Sequence, residues 1–479
     1  MAIEDLRRGG AAGREPAGIA VLPPRRERLA IVSTRNRLCG IAAYTAALER
    51  QLADIFDLAV FDLDQYLLCS RRARVRELGD RHIKEICREI AKFDAVSLQL
   101  EFGTLGYSTR DIYRRFCWIV GAARRLSVTF HSFKRPPAFP GAELTKAVLS
   151  GRWQAALDIH SNFVHDTRLS LGIGKCLRRA QRRKPVSVIV HNRHDRADAV
   201  HLHGLQRVYD HPLAFLSPAE AEAINNAATR DRFPILDRLS PDAVLIGVFG
   251  FLNNYKGFES VIRALHHLPK SYHLLIFGGT HPAEILLNRP LHPYIAELLQ
   301  AGNVDATLFD QILANSNRTG VSFSLDIQRQ LGELLAVHPR DLSDRLHFMG
   351  ALDDVDFLLG MAICDVAVLP YLEVGQSSSG PISLAVELGR RVIASRTHTF
   401  LQFAAYHPNA VEFFDIGNHL ELAERIASRP QYAERAAPKY NVETNKAIYL
   451  AANSLPNPAP RPRRMDVVTP RERVAASGD

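Results

Sequence analysis

Short β-branched apolar runs recur along the chain, each next to a longer amphipathic stretch, and this alternation restricts the fold more than any other feature. A first set comprises LAIVST (29–34), DAVSLQL (94–100), LSVTFH (126–131) and VSVIVH (186–191). After a break near residues 237–242 a second set follows: VLIGVFG (244–250), HLLIFGG (273–279), RLHFMG (345–350), DVAVLPY (365–371) and RRVIAS (390–395). Apolar runs separated by helices are the pattern of parallel strands with crossover helices. Two successive sets predict an α/β chain of two doubly wound, Rossmann-like domains facing across a cleft. Ligands in such sheets bind at the carboxyl ends of the strands, and a cleft between domains is a favoured place for a site.

Composition narrows the function classes. The 479 residues, 47% hydrophobic and 23% charged, suit a globular chain of about two or three domains. Residues 1–27 combine Arg, Gly and Pro and read as a disordered arm, and the five prolines from Pro456 to Pro470 break regular structure in a Pro/Arg-rich tail, 455–479. No apolar run reaches the ~18 residues of a membrane helix, and the polar N-terminus lacks the apolar core of a secretory signal. A cytoplasmic protein is expected, with peripheral contact to an anionic inner membrane face open to its basic ends. The net charge of +9 comes without a basic stripe interleaved with aromatics, so no nucleic-acid partner is expected. Six dispersed cysteines show no zinc-ligand spacing and read as buried free thiols.

Candidate site residues lie at the strand ends. In TRNRLCGIAAYT, Gly40 stands where a strand turns into a helix whose first amides are free for an anion or a sugar hydroxyl. The alternative is a glycine chosen only for turn geometry. LQLEFG places Gln99 and Glu101 two apart, on one face of a strand end, and VTFH ends in His131. Each is a cleft candidate; for His131 a packed, structural histidine is the competing reading. VFGFLNNYKG offers Gly250 and Lys256 in a strand-to-helix loop, where a lysine supplies a point charge to a diphosphate and glycines let amides approach. A surface lysine near a helix start is the plainer reading. The loop Gln376, Ser377, Ser378, Ser379, Gly380, Pro381 leads into another helix, and its hydroxyls and amides suit phosphate oxygens; simple N-capping by a serine is the competing reading.

These stretches, in their order and spacing, resemble GT-B fold glycosyltransferases of the family 4 (group 1, retaining) type over about residues 28–454. The likeness rests on IVSTRNRLCGIAAYT, VSLQLEFG and LSVTFHS in the first half. In the second it rests on GVFGFLNNYKGFESVIRAL, LLIFGGTHP, HFMGALDD and YLEVGQSSSGPISLAVELGRRVIAS. The resemblance implies an acceptor-side domain at 28–240, a nucleotide-sugar donor domain at 241–430, and a last helix within 431–454 that returns to the first. It implies donor contacts from Gly40, Gly250, Lys256, Gly278, Gln376, Ser378, Ser379, Gly380 and Pro381, and puts His131 beside the transferred sugar as the catalytic residue. Gln99 and Glu101 fall in a subgroup's motif without an assigned role. No metal and no cofactor is implied, because lysine and helix N-termini neutralise the leaving diphosphate. The acceptor is a glycan, a lipid-linked sugar or another hydroxyl compound.

Three positions depart from the pattern. Two glutamates eight apart are usual in the second domain, and their places hold Gln376 and Leu384; the usual arginine beside the phosphate lysine is Phe251. Glutamine keeps hydrogen-bonding capacity but no charge, and leucine offers a ribose nothing. A subgroup with a QSSSGP-type loop shares this change. A silent, transferase-like binding or regulatory protein is therefore an alternative, as is a sugar-nucleotide epimerase built on Glu101 and His131.

Overall fold

The computed structural model describes residues 26–35, 37, 39–280, 293–302, 342–430 and 438–454. The arm before residue 26 and the tail after 454 lie outside the described residues, as do His281 and Pro282 of the LLIFGGTHP stretch. Two six-stranded sheets carry the fold. The first has the order β2-β1-β3-β4-β5-β6, from β1 (Arg28–Ser33), β2 (Asp57–Asp62), β3 (Ala95–Leu100), β4 (Leu126–Phe130), β5 (Val186–Val190) and β6 (Val208–Asp210). The second has the order β12-β11-β10-β7-β8-β9, from β7 (Val244–Phe249), β8 (Tyr272–Phe277), β9 (Leu346–Gly350), β10 (Val366–Leu369), β11 (Arg391–Ser395) and β12 (Glu412–Phe414). All strand pairs within both sheets are parallel. Every apolar run read from the sequence is a strand. Three further strands, β2, β6 and β12, escape that reading: β2 is only half-buried along its middle, and the other two span three residues each.

Each sheet reverses its strand order once, between β1 and β3 and between β7 and β10. Crossover helices leave in opposite directions on either side of such a point, so a crevice opens there at the strands' carboxyl ends. The two crevices face each other. Between the lobes runs one continuous apolar core, in which Tyr44 and Phe215 from the first half pack in the same cluster as Phe249, Phe277 and Leu384 from the second. The outer face of each sheet has its own core, one around Phe116 and Val128, the other around Phe258 and Ile276.

Helix Val442–Asn453 follows the second sheet in sequence but packs on the first. Its Asn453 Oδ1 accepts from Ser127 Oγ at 2.9 Å, its Tyr449 hydroxyl meets Thr129 Oγ1 at 2.9 Å, and Ser187 Oγ donates to the Ala452 carbonyl at 2.6 Å. Parallel strands covered on both faces are normally apolar throughout. Here the small hydroxyls of β4 and β5 are satisfied by this helix, which meets the rule that a buried polar group needs a partner.

The cysteines correct an expectation. All six are free, but only Cys364 is fully buried and the other five are half-buried. Cys117 and Cys176 place their sulfurs 3.5 Å apart. No helix among the described residues is long and apolar enough to cross a membrane.

A second link between lobes is Glu387, half-buried at the end of helix Gly380–Glu387. Its carboxylate accepts from the Phe215 amide at 3.0 Å and the Leu216 amide at 3.0 Å. Burial outweighs those bonds and pushes the carboxyl up from 4.5 to about 8. Between those values the folded chain keeps a proton that the unfolded chain has released, so this residue makes stability fall as pH rises from about 4.5 through about 8. Urea midpoints measured across that window are expected to decline in the wild type. In Glu387→Gln, which keeps an acceptor oxygen and cannot ionise, the decline is expected to be smaller.

Candidate functional site

The facing crevices enclose a cavity of about 610 Å³ at the carboxyl ends of both sheets. Its wall takes Gly40 after β1, Glu101 after β3 and His131 after β4; across from them stand Gly250 after β7, Gly278 after β8, and the loop from Gln376 to Pro381. Of the residues selected from sequence, Gly40, Glu101, His131, Gly250, Lys256, Gly278, Gln376, Ser378, Ser379, Gly380 and Pro381 all line it. Gln99 does not. Its side chain is buried one layer behind, with its Oε1 3.1 Å from His131 Nε2.

Lys256 dominates the electrostatics. It closes the 3-10 turn Asn254–Lys256 and is only 7% exposed, against the plain reading of a surface lysine. Its Nζ donates to the Tyr371 hydroxyl and lies over two phenol rings, 3.8 Å from the Tyr371 centroid and 5.0 Å from that of Tyr255. No acidic side chain among the described residues pairs with it, and burial draws its ammonium down from 10.5 to about 7. Two glycines make room. Gly250 has φ 121° and a side chain there would meet Lys256 Cε and Nζ at 3.1 Å, while one at Gly278 would stand 1.8 Å from the Gly250 carbonyl oxygen. Only glycine allows that approach.

Beside the lysine, helix Gly380–Glu387 points its N-terminus at the cavity. Ser379 is the N-cap residue, yet its side chain makes no capping bond; its Oγ donates to the Tyr371 hydroxyl at 3.4 Å. Among the described residues no side chain accepts from the helix's first amides, which is what an anion-binding helix end requires. Gly40 begins helix Gly40–Leu52 on the opposite wall with an ordinary negative φ, and nothing lies within 4 Å of where its Cβ would be. Turn geometry therefore does not account for that glycine.

The serine loop also ties the lobes together. Ser377 Oγ accepts from the Phe133 amide at 2.8 Å, its carbonyl accepts from Asn192 Nδ2 at 3.0 Å, and Ser378 Oγ donates to the His131 carbonyl at 3.4 Å. Sequence reasoning selected this loop for an anion and missed Ser377 as a bridge. It also missed Tyr255 and Tyr371, although one adjoins Lys256 and the other ends the DVAVLPY run.

On the first lobe, burial, with His191 beside it, holds the His131 imidazole well below its usual range, so it is neutral near pH 7. Both oxygens of Glu101 are engaged, one by the Phe102 amide at 3.1 Å and the other by Ser132 Oγ at 2.6 Å. The remaining wall is largely apolar, with Phe215, Phe277, Phe357 and Leu384, and it also carries the charged side chains Arg50 and Asp354. Among the described residues no group of three or more His, Cys, Asp or Glu could hold a metal ion.

No protein-family profile and no curated protein matches the chain. Solved structures do. An α,α-trehalose-phosphate synthase (UDP-forming) from Burkholderia xenovorans is 13% identical, with 89% of this chain and 98% of that chain covered and a TM-score of 0.52. Trehalose-6-phosphate synthase OtsA is 12% identical, with 88% and 96% covered and a TM-score of 0.52. HepE of Anabaena, solved with UDP-glucose, is 14% identical, with 89% and 99% covered and a TM-score of 0.50. With the two parallel six-stranded sheets, these likenesses show a two-domain GT-B fold.

A buried cation without an anion costs stability that a binding site gives up for its ligand. In the free protein that cost is fully present below about pH 7 and fades as pH climbs toward 10.5, where the unfolded chain also loses the proton. Lys256→Met is expected to raise the melting temperature of the ligand-free protein, by a margin that narrows between pH 7 and pH 10.

Proposed function

We propose that this chain is a glycosyltransferase that moves a sugar from a nucleotide-sugar donor to an acceptor hydroxyl, with retention and without a metal. One observation carries the reading: Lys256, a buried cation with no acidic partner among the described residues, faces a cavity between two lobes beside an uncapped helix N-terminus. A diphosphate linking a nucleoside to a sugar is the ligand whose charge this arrangement complements. As the sugar–oxygen bond breaks, negative charge grows on the departing diphosphate, and fixed donors in a dry site stabilise that charge most. Lys256 and the amides after Ser379 supply it. Gln376 and Ser378 stand at the same wall for sugar hydroxyls, and His131 faces them from the acceptor lobe.

The neighbouring folds solved with UDP-glucose or described as UDP-forming support a uridine nucleotide as the first donor to try. The likeness of the serine loop to family 4 enzymes supports assignment to that type, in the subgroup with QSSSGP. The acceptor is a glycan, a lipid-linked sugar or another hydroxyl compound.

Leu384 on the cavity wall favours a second reading, a binding or regulatory protein that holds a nucleotide-sugar without turnover. An epimerase is less well supported. Glu101 is held by Ser132 and Phe102 and His131 by Gln99, so the two do not form a free acid–base pair.

Calorimetry with UDP-glucose and related nucleotide-sugars, followed by product detection, separates these readings. At pH 8 the wild type is expected to take up a fraction of a proton on binding, because the diphosphate restores the Lys256 charge; heats in two buffers of different ionisation enthalpy report it. Lys256→Ala is expected to abolish that uptake and to weaken binding by about 1.5–3 kcal/mol, the loss of a charge-assisted bond. Unchanged affinity would remove Lys256 from the site. His131→Ala is expected to lower turnover far more than donor affinity; intact turnover with a lowered melting temperature would make it a structural histidine.

A further inference from the structure

Gln99 was selected from sequence without a role, and its surroundings supply one. The side chain is 1% exposed and engaged at both ends. Its Nε2 donates to Ser97 Oγ at 3.1 Å and to Thr129 Oγ1 at 3.4 Å. Its Oε1 accepts from the Tyr449 hydroxyl at 3.4 Å and lies 3.1 Å from His131 Nε2. The Tyr449 hydroxyl also meets Thr129 Oγ1 at 2.9 Å, and burial keeps it protonated. With both amide hydrogens used on β3 and β4, the carbonyl end is what His131 meets. A carbonyl oxygen has no hydrogen to give, so the imidazole must supply one. A neutral ring carries one N–H, and that places it on Nε2.

We propose that Gln99 and Tyr449 are positioning residues that hold His131 as its Nε2–H tautomer, leaving Nδ1 as a hydrogen-bond acceptor for a substrate hydroxyl. A lone pair attracts an O–H and repels a phosphate oxygen. The cavity is thus divided by chemistry: Lys256 and the helix amides take the anion, and His131 takes a hydroxyl-bearing part. The identity of that hydroxyl, on donor sugar or acceptor, rests on the glycosyl-transfer reading. The tautomer does not.

Long-range proton–nitrogen NMR on histidine-labelled full-length protein, with His131 assigned by its loss in His131→Asn, tests the proposal without ligand. The wild type is expected to show protonated Nε2 and lone-pair Nδ1. Gln99→Met removes the acceptor at similar volume and is expected to populate the Nδ1–H tautomer. Tyr449→Phe, which keeps the ring, is expected to shift the balance part-way, and serves as the test if Gln99→Met does not fold. Gln99→Glu, whose carboxylate still accepts from Nε2–H, is expected to restore the wild-type pattern. An Nδ1–H tautomer in the wild type, or no change in Gln99→Met and Tyr449→Phe, overturns the proposal. Where turnover is measurable, Gln99→Met is expected to lower kcat at least tenfold, with a smaller change in donor affinity. A wild type with the stated tautomer but no turnover on any donor would overturn the glycosyl-transfer reading and leave the positioning intact.

Discussion

A lysine ammonium taken out of water and set against two phenols is the constraint on which this site depends. Aromatic faces and one hydroxyl recover part of the lost hydration, worth about 2 kcal/mol where a cation–π contact is desolvated. They do not replace a counter-anion. The loops around Lys256 are built to keep the charge there: glycines at 250 and 278 let the backbone pass close by, and Tyr371 is held from the other side by Ser379. A chain selected only for stability has cheaper ways to fill that space, and so the lysine points to an anionic ligand.

Much of this was legible before any coordinates. Strand-ending residues such as His131, and loop residues such as Lys256 and Gly380, were found because parallel sheets expose their carboxyl ends at one edge, and the run boundaries mark those ends. Gln99 shows where that logic stops. Two residues apart in sequence suggested a shared face with Glu101, but Glu101 has left the strand and caps the short helix Phe102–Leu105. Gln99 remains inside β3, under a helix about 350 positions downstream. Nothing local signals a partner that distant. The same holds for Ser377: its neighbours suggested a phosphate loop, while its partners Phe133 and Asn192 come from the other lobe.

The lobes are not independent bodies leaning on one another. The central core, the Glu387 carboxylate on the 215–216 amides and the Ser377 bridge all cross between them. The loop offered to the anion and the segment after β4 that holds His131 share two hydrogen bonds. A change in one wall of the cavity is therefore felt directly by the other.

The placement of helix Val442–Asn453 bears on how the protein is made. The hydroxyls of Ser127, Thr129 and Ser187 on the first sheet have their partners on a segment that leaves the ribosome after the whole second lobe. During synthesis the early lobe waits with that stripe uncovered. The bond between Gln99 and Tyr449 forms only once translation has passed residue 449, so the histidine at the cleft acquires its support late in the birth of the chain.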